Sequence, residues 1–193
     1  MTKIKSNKAI SLLTATFFSI TLGACSSTTV KNGDVGSEKT PKNIIMIVAD
    51  GMGPAYTTAY RYFSDNKTTP YVENTVFDQY LIGSASTYPA SVSGVVTDSA
   101  AAATALATGI KTYNGAISVD VNKKPVQSVL EWAKIQGKKT GIVVTSQINH
   151  ATPASYLAHN ESRNNYNTIA DSYIDDGIKA DLYLGGGWKY FIR

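Results

Sequence analysis

An uninterrupted apolar segment at residues 44–49 (IIMIVA) most constrains the fold of this chain, and it ends abruptly at Asp50-Gly51. Because its apolar residues do not alternate with polar ones, the pattern is typical of a β-strand buried on both faces, as in a parallel sheet covered by helices. We expect three more strands, at residues 81–88, 140–148 and 181–184.

Helical patterns alternate with these strands. Pro54 can open a helix that continues to residue 63, and an alanine-rich helix at residues 99–108 is closed by Gly109. Further helices are predicted at residues 126–136, 153–159 and 166–174. The alternation predicts an α/β fold with a mostly parallel sheet flanked by helices. Such sheets place their chemistry at the carboxyl ends of strands, where this chain has Asp50, Asp98, Ser99, His150 and Thr152.

Composition and charge exclude several classes of protein. With 43% hydrophobic and 17% charged residues, the chain is neither a disordered tail nor a collagen-like repeat. Its single cysteine excludes a disulfide framework and a cysteine-based zinc module. The net charge of +4 comes mostly from three lysines in residues 1–24, since residues 25–193 hold 15 basic and 14 acidic side chains. No basic stripe therefore indicates a nucleic-acid partner.

The first 25 residues are typical of an export signal. Residues 1–8 are positively charged, and residues 9–24 are apolar or small but fall short of the roughly 20 residues that span a bilayer. The signal ends in LGAC, which resembles a bacterial lipobox with Cys25 as the lipidated residue. The alternative is an ordinary signal peptide in which Cys25 is incidental. Residues 26–42 are polar and predict a flexible linker, so we expect a lipid-anchored protein on the periplasmic or cell-surface side.

Two segments could carry chemistry. Asp50, fixed at a strand end beside glycines, suits a divalent metal, although an Asp-Gly turn alone would also explain it. Ser99 opens a helix, where free backbone N–H groups and the helix dipole favour a phosphate or a phosphoserine. The simpler explanation is that Asp98 or Ser99 only caps the helix. A serine nucleophile needs activation, and with no histidine nearby in sequence a metal is the natural candidate.

Taken together, the motifs resemble the alkaline phosphatase family. The resemblance rests on NIIMIVADGMG at residues 43–53, VTDSAAAATA at 96–105, HATPA at 150–154, AH and SR at 158–159 and 162–163, and LGGG at 184–187. The motifs occur in the order that the family uses. They identify residues 43–193 as the N-terminal part of an alkaline phosphatase-like catalytic domain.

The resemblance implies a role for each matched residue. Ser99 matches the nucleophile that forms a phosphoserine, and Asp50 a carboxylate shared between a catalytic zinc and a nearby magnesium. Arg163 matches the arginine that grips phosphate oxygens, and Asp98 the acid that orients it. Thr152 matches a magnesium ligand. His150 stands where family members carry Asp or His, and as a neutral ligand it changes the expected metal preference of the third site. We interpret His159, by contrast, as a helix-surface residue.

The resemblance also implies that more is needed for activity. The family takes most zinc ligands from the second half of a much longer domain, and this chain has only two histidines. We therefore expect an N-terminal fragment with an incomplete sheet, which hydrolyses phosphomonoesters poorly or not at all by itself. The intact protein would be a phosphomonoesterase with two zinc ions and one magnesium ion, and the family also allows a homodimer.

Other functions stay open. Among enzymes, the alternatives are a related metal-dependent phosphodiesterase, phosphomutase or sulfatase. A sulfatase that forms formylglycine needs a C/S-x-P-x-R segment, whereas Ser99 is followed by alanines. From another class, the chain could be a non-catalytic surface lipoprotein that binds phosphate or metal.

Overall fold

The computed structural model of the protein describes residues 41–192, in two units divided after Met46. The predicted signal sequence, Cys25 and all but the last two residues of the predicted linker lie outside the described residues. In the first unit, residues 41–46 form neither helix nor strand. The second unit contains every helix and strand described below.

Six α-helices lie in the described part of the chain. Their bounds are α1 Pro54–Ser64, α2 Val76–Gln79, α3 Ser99–Thr108, α4 Val129–Ile135, α5 Ala151–Ala154 and α6 Tyr166–Asp175. The predictions for α1, α3 and α6 are confirmed to within about one residue at each end. The helix predicted from residue 126 begins at Val129 because Ser128 caps it, and the one predicted at 153–159 is the shorter α5.

Two parallel strands form the sheet, β1 (Gly141–Gln147) and β2 (Leu182–Gly186). Ile142 pairs with Tyr183 and Val143 with Leu184, and the chain between the strands forms α5 and α6. The glycine-rich end of β2 has a packing reason. A Cβ atom on Gly185 would lie 2.5 Å from a methyl group of Ile148 and 2.7 Å from one of Val144, so position 185 leaves no space for a side chain.

The buried core is built mainly from α3, α5, α6 and the turn after α5. Small residues let α3 and α5 pack closely, and larger side chains fill the space behind them. The core cluster comprises Ala100, Ala107, Ile117, Ala151, Ala154, Tyr156, Leu157, Ala158, Ile169, Tyr173 and Ala180. The architecture is thus α/β, with a parallel sheet flanked by helices.

Two strand predictions are wrong for this structure. Residues 44–49 form no strand, and Ile44 and Ile45 are 88% and 86% exposed. Residues 81–88 also form no strand, and Leu81 and Ile82 are exposed. A strand needs a neighbour for its backbone N–H and C=O groups, and in the described residues β1 and β2 pair only with each other. None of the described helices is long and apolar enough to cross a membrane.

Candidate active site

The site begins at the N-terminus of α3. Asp98 has an extended backbone, and its Oδ1 accepts a hydrogen bond of 2.9 Å from the Ala101 N–H. This N-cap leaves Ser99 as the first helical residue. The helix ends at Gly109, which has a left-handed φ of 74°. The alanines and cap that predicted the helix therefore also place the serine hydroxyl at its positive end.

The carboxylate of Asp50 joins two hydroxyl groups. Ser99 Oγ donates to Asp50 Oδ1 at 2.9 Å, and Thr152 Oγ1 donates to Asp50 Oδ2 at 2.9 Å. Thr152 is the second residue of α5. Three oxygen-bearing side chains from separate segments of the chain thus meet at one carboxylate.

Arg163 forms the other side of the site. Its Nη1 donates to Asp98 Oδ2 at 3.0 Å, and the guanidinium side chain is 21% exposed. Its Nη2 lies 3.4 Å from His150 Nε2. Burial and the positive charge of Arg163 lower the pKa of His150, against the opposing effect of Asp50. The imidazole is therefore neutral near pH 7, which lets Nε2 accept from the arginine.

These groups border a cavity of about 610 Å³. Its walls include the segment from Val48 to Pro54, together with Thr97, Asp98, Ser99, Thr152 and Arg163. The structure thus brings together Asp50, Asp98, Ser99, Thr152 and Arg163, with His150 beside the arginine. An aspartate and two hydroxyls at one end and a guanidinium at the other suit an anion accompanied by a cation.

The donor set fits a hard cation better than a complete zinc site. A carboxylate and two hydroxyls are the oxygen ligands that Mg²⁺ takes, with waters in its remaining positions. Among residues 41–192, no three His, Cys, Asp or Glu side chains cluster as a metal site would require. Asp50 and Ser99 could each contribute one ligand to zinc, which commonly binds four.

His159 is not a helix-surface residue, so that prediction is wrong. It follows α5 in an irregular segment, with its side chain 20% exposed. Nδ1 lies 2.8 Å from the Ser118 carbonyl oxygen and Nε2 lies 2.9 Å from Glu131 Oε1. Both ring nitrogens are therefore used structurally. The residue lines a separate cavity of about 370 Å³ that shares no wall with the first.

Sequence reasoning missed two residues that support the site, Asn114 and Gly115. Asn114 Oδ1 accepts from the Asp98 N–H at 3.0 Å, and the Gly115 N–H donates to Asp98 Oδ2 at 3.0 Å. The Asn-Gly pair does signal a turn, but a turn signal does not say which segment the turn will hold.

Comparisons with known proteins show the family of this chain. The alkaline phosphatase family model matches residues 41–193. Alkaline phosphatase 3 of Bacillus subtilis (strain 168) is 50% identical over 181 residues, covering 92% of this chain and 39% of that protein. Alkaline phosphatase 4 of the same strain is 52% identical over 191 residues, covering 96% of this chain and 41% of that protein.

Solved structures show the same relationship. A cold-active alkaline phosphatase from a psychrophilic Shewanella species superposes with a TM-score of 0.70 at 62% identity, covering 75% of this chain and 36% of that one. A mutant TAB5 alkaline phosphatase with Mg bound in its M3 site gives a TM-score of 0.61 at 35% identity, covering 74% of this chain and 38% of that one. This chain spans about two fifths of the length of the curated relatives. On the family match and these identities, the chain belongs to the alkaline phosphatase family.

Proposed function

We propose that the protein containing this chain hydrolyses phosphomonoesters through a phosphoserine formed on Ser99. The observation that carries the proposal is the convergence of the Ser99 hydroxyl, the Asp50 carboxylate and the Arg163 guanidinium around one cavity. Membership of the family supports it. Ser99 lies at the N-terminus of α3, so a phosphate bound to it would lie at the positive end of the helix dipole.

In the first step, Ser99 Oγ attacks phosphorus in line with the leaving oxygen. The bond from Ser99 Oγ to phosphorus forms while the bond from phosphorus to the leaving oxygen breaks, and the alcohol leaves with a proton. The 2.9 Å hydrogen bond to Asp50 orients the hydroxyl, and the carboxylate favours loss of its proton. In the second step, water attacks the phosphoserine, so orthophosphate leaves and the serine is restored.

Arg163 binds the phosphoryl oxygens throughout. Its planar guanidinium can donate to two oxygens at once, and its contact with Asp98 holds it in position. Because Asp98 already holds the guanidinium in position, this cation can stabilise negative charge on these oxygens in each transition state without rearranging.

Asp50, Thr152, Ser99 and His150 would hold the metal ions that we propose, zinc and magnesium. When bound, such ions supply Lewis-acid stabilisation of charge on the reacting oxygens. The TAB5 mutant with Mg bound in its M3 site supports magnesium as one of these ions. Zinc needs more histidine and carboxylate ligands than residues 41–192 group together. We therefore expect the 193-residue chain to turn over phosphomonoesters poorly by itself.

Turnover of an aryl phosphate by the full-length gene product tests the proposal. Ser99→Ala should lower kcat by more than about 10³-fold, because the nucleophile is lost. Ser64→Ala, which removes an exposed hydroxyl at the end of α1, is the matched control and should leave kcat unchanged. Near-normal turnover by Ser99→Ala would refute the assignment, and turnover of a phosphodiester alone would favour the diesterase alternative.

We further propose that Cys25 carries a lipid anchor that keeps the exported protein at the membrane. The support is the LGAC motif after a charged and then apolar start. Metabolic labelling with a fatty-acid analogue should label the wild-type protein and leave Cys25→Ser unlabelled. An unlabelled wild-type protein would mean an ordinary signal peptide.

A further inference from the structure

The turn at Asn114-Gly115, between α3 and α4, binds the segment that leads into Ser99. The Asn114 side chain uses both halves of its amide on this segment. Oδ1 accepts from the Asp98 N–H at 3.0 Å, and Nδ2 donates to the Val96 carbonyl oxygen at 2.9 Å. The backbone N–H of Asn114 is itself fixed by a 2.9 Å hydrogen bond to Ser93 Oγ. The side chain therefore pairs with one N–H and one C=O group of residues 96–98, as the backbone of a neighbouring strand would.

The next residue connects this segment to Arg163. The Gly115 N–H donates to Asp98 Oδ2 at 3.0 Å, and the Gly115 carbonyl accepts from the Arg163 N–H at 2.7 Å. Gly115 has a φ of 90°, a conformation that favours glycine. Asp98 Oδ2 also receives the Arg163 side chain at 3.0 Å. The turn is thus hydrogen-bonded to both Asp98 and Arg163, which line the cavity.

Packing does little to hold the segment before Ser99. Val95 and Val96 are 86% and 76% exposed in the described structure. The hydrogen bonds from Asn114 are therefore the main restraint on the backbone of Val96 and on the N–H of Asp98. Since Ser99 follows Asp98 directly, a shift of the Asp98 backbone would change the position of the serine hydroxyl relative to Asp50.

We propose that Asn114 is a positioning residue for Ser99, acting through the backbone of residues 96–98. The proposal rests on the proposed function of Ser99. Asparagine suits the task because one side chain supplies an acceptor and a donor at fixed spacing. The contacts of Arg163 with Asp98 and Gly115 do not involve the amide of Asn114. Loss of the amide should therefore slow the chemical step more than it weakens phosphate binding.

The test compares Asn114→Ala with wild type in the full-length gene product. We expect kcat for an aryl phosphate to fall about 10- to 100-fold, the effect of misplacing a reacting group by about 1 Å, with KM and inhibition by inorganic phosphate nearly unchanged. Hydrogen exchange at the Asp98 amide, followed by NMR, should become faster, while exchange at Ala105 inside α3 stays the same. Asn66→Ala is the matched control, because it removes only local hydrogen bonds from the N–H and hydroxyl of Thr68. It should change neither kcat nor exchange at the Asp98 amide.

If Asn114→Ala does not fold, a second and milder variant tests the same proposal. Ser93→Ala removes the hydroxyl that holds the Asn114 N–H and should give a smaller fall in kcat with the same unchanged KM. Wild-type kcat in Asn114→Ala, or a fall in kcat without faster exchange at Asp98, would overturn the proposal. Absence of Ser99-dependent turnover in the wild type would instead overturn the proposed function, and the exchange data would still show whether Asn114 restrains the segment.

Discussion

The Ser99 hydroxyl donates a hydrogen bond of 2.9 Å to the Asp50 carboxylate, although the two residues lie 49 positions apart in the chain. The other oxygen of Asp50 accepts from Thr152, 102 positions further along. Capping of α3 does not require the contact between Ser99 and Asp50, because Asp98 is the N-cap. The arrangement therefore makes Asp50 the centre of the candidate site and the first residue to test.

Asp50→Asn should weaken magnesium binding and slow turnover. The amide keeps the shape of the side chain but removes the negative charge that attracts a divalent cation. We expect the magnesium concentration needed for half-maximal activity to rise at least about tenfold, roughly the loss of one charged contact. Activity measured over a range of magnesium concentrations, and calorimetric titration with magnesium, measure this change. Asp176→Asn, at the end of α6, is the matched control, and an equal effect in both variants would contradict a metal role for Asp50.

Arg163→Lys should weaken phosphate binding even though the charge is kept. A lysine ammonium cannot donate to Asp98 and to two phosphate oxygens in the fixed geometry of the guanidinium. Loss of one charged hydrogen bond, about 1.5–3 kcal/mol, predicts an increase of about 10- to 100-fold in the inhibition constant of inorganic phosphate. Arg61→Lys alters a guanidinium that binds Asp78 instead and should leave that constant unchanged. An unchanged constant in Arg163→Lys would exclude Arg163 from the phosphate site.

Asp98→Ala should lower both stability and activity. The substitution removes the N-cap of α3, which is worth about 1 kcal/mol, and leaves Arg163 without its carboxylate partner. Thermal unfolding should show the stability loss. Ser128→Ala removes the cap of α4, outside the catalytic cavity, so it should lower the melting temperature without a matching loss of kcat. A loss of activity in Ser128→Ala as large as in Asp98→Ala would mean that the activity follows stability alone.

His159 should make the protein less stable as the pH rises through neutrality. Burial disfavours its charged form, but the hydrogen bonds to Glu131 and to the Ser118 carbonyl outweigh burial and raise its pKa above 6.5. Below that unfolded-state value both states are protonated, and the stabilisation is complete. It is lost as the pH rises through the raised pKa of the folded state. Lys179, 3.6 Å from Glu131, opposes the histidine charge without cancelling it.

Melting temperatures measured at a series of pH values test this. The decline of stability above pH 6.5 should be steeper in wild type than in His159→Gln, which keeps a side-chain polar group but cannot titrate. His150, whose pKa is lowered, is present in both proteins and cancels in the difference. Parallel curves of melting temperature against pH would show that the pair of His159 and Glu131 makes no pH-dependent contribution to stability.

The sequence predicted local structure well where its signals are local. The alanines after Ser99 and the glycine at residue 109 define α3 within one residue. α4 begins three residues later than predicted because Ser128 and Glu131 form a capping box at its N-terminus. Residues 44–49 fail as a strand because an apolar segment cannot supply its own hydrogen-bond partners.

The candidate site was predicted from motifs rather than from spacing. The resemblance to the family predicts that Asp50, Ser99, Thr152 and Arg163 belong to one site. In the structure these four residues line one cavity. Their individual roles stay predictions. Asn114 could not be predicted from the sequence because it binds backbone groups of residues 96–98, and every residue type carries the same backbone groups.

Trapping the phosphorylated protein is the most direct test of the central claim. Full-length gene product mixed briefly with an aryl phosphate and quenched in acid should yield, by peptide mass spectrometry, one phosphoryl group on Ser99. Ser99→Ala should yield none and should show no substantial turnover. A phosphoryl group on another residue, or undiminished turnover by Ser99→Ala, would contradict the account.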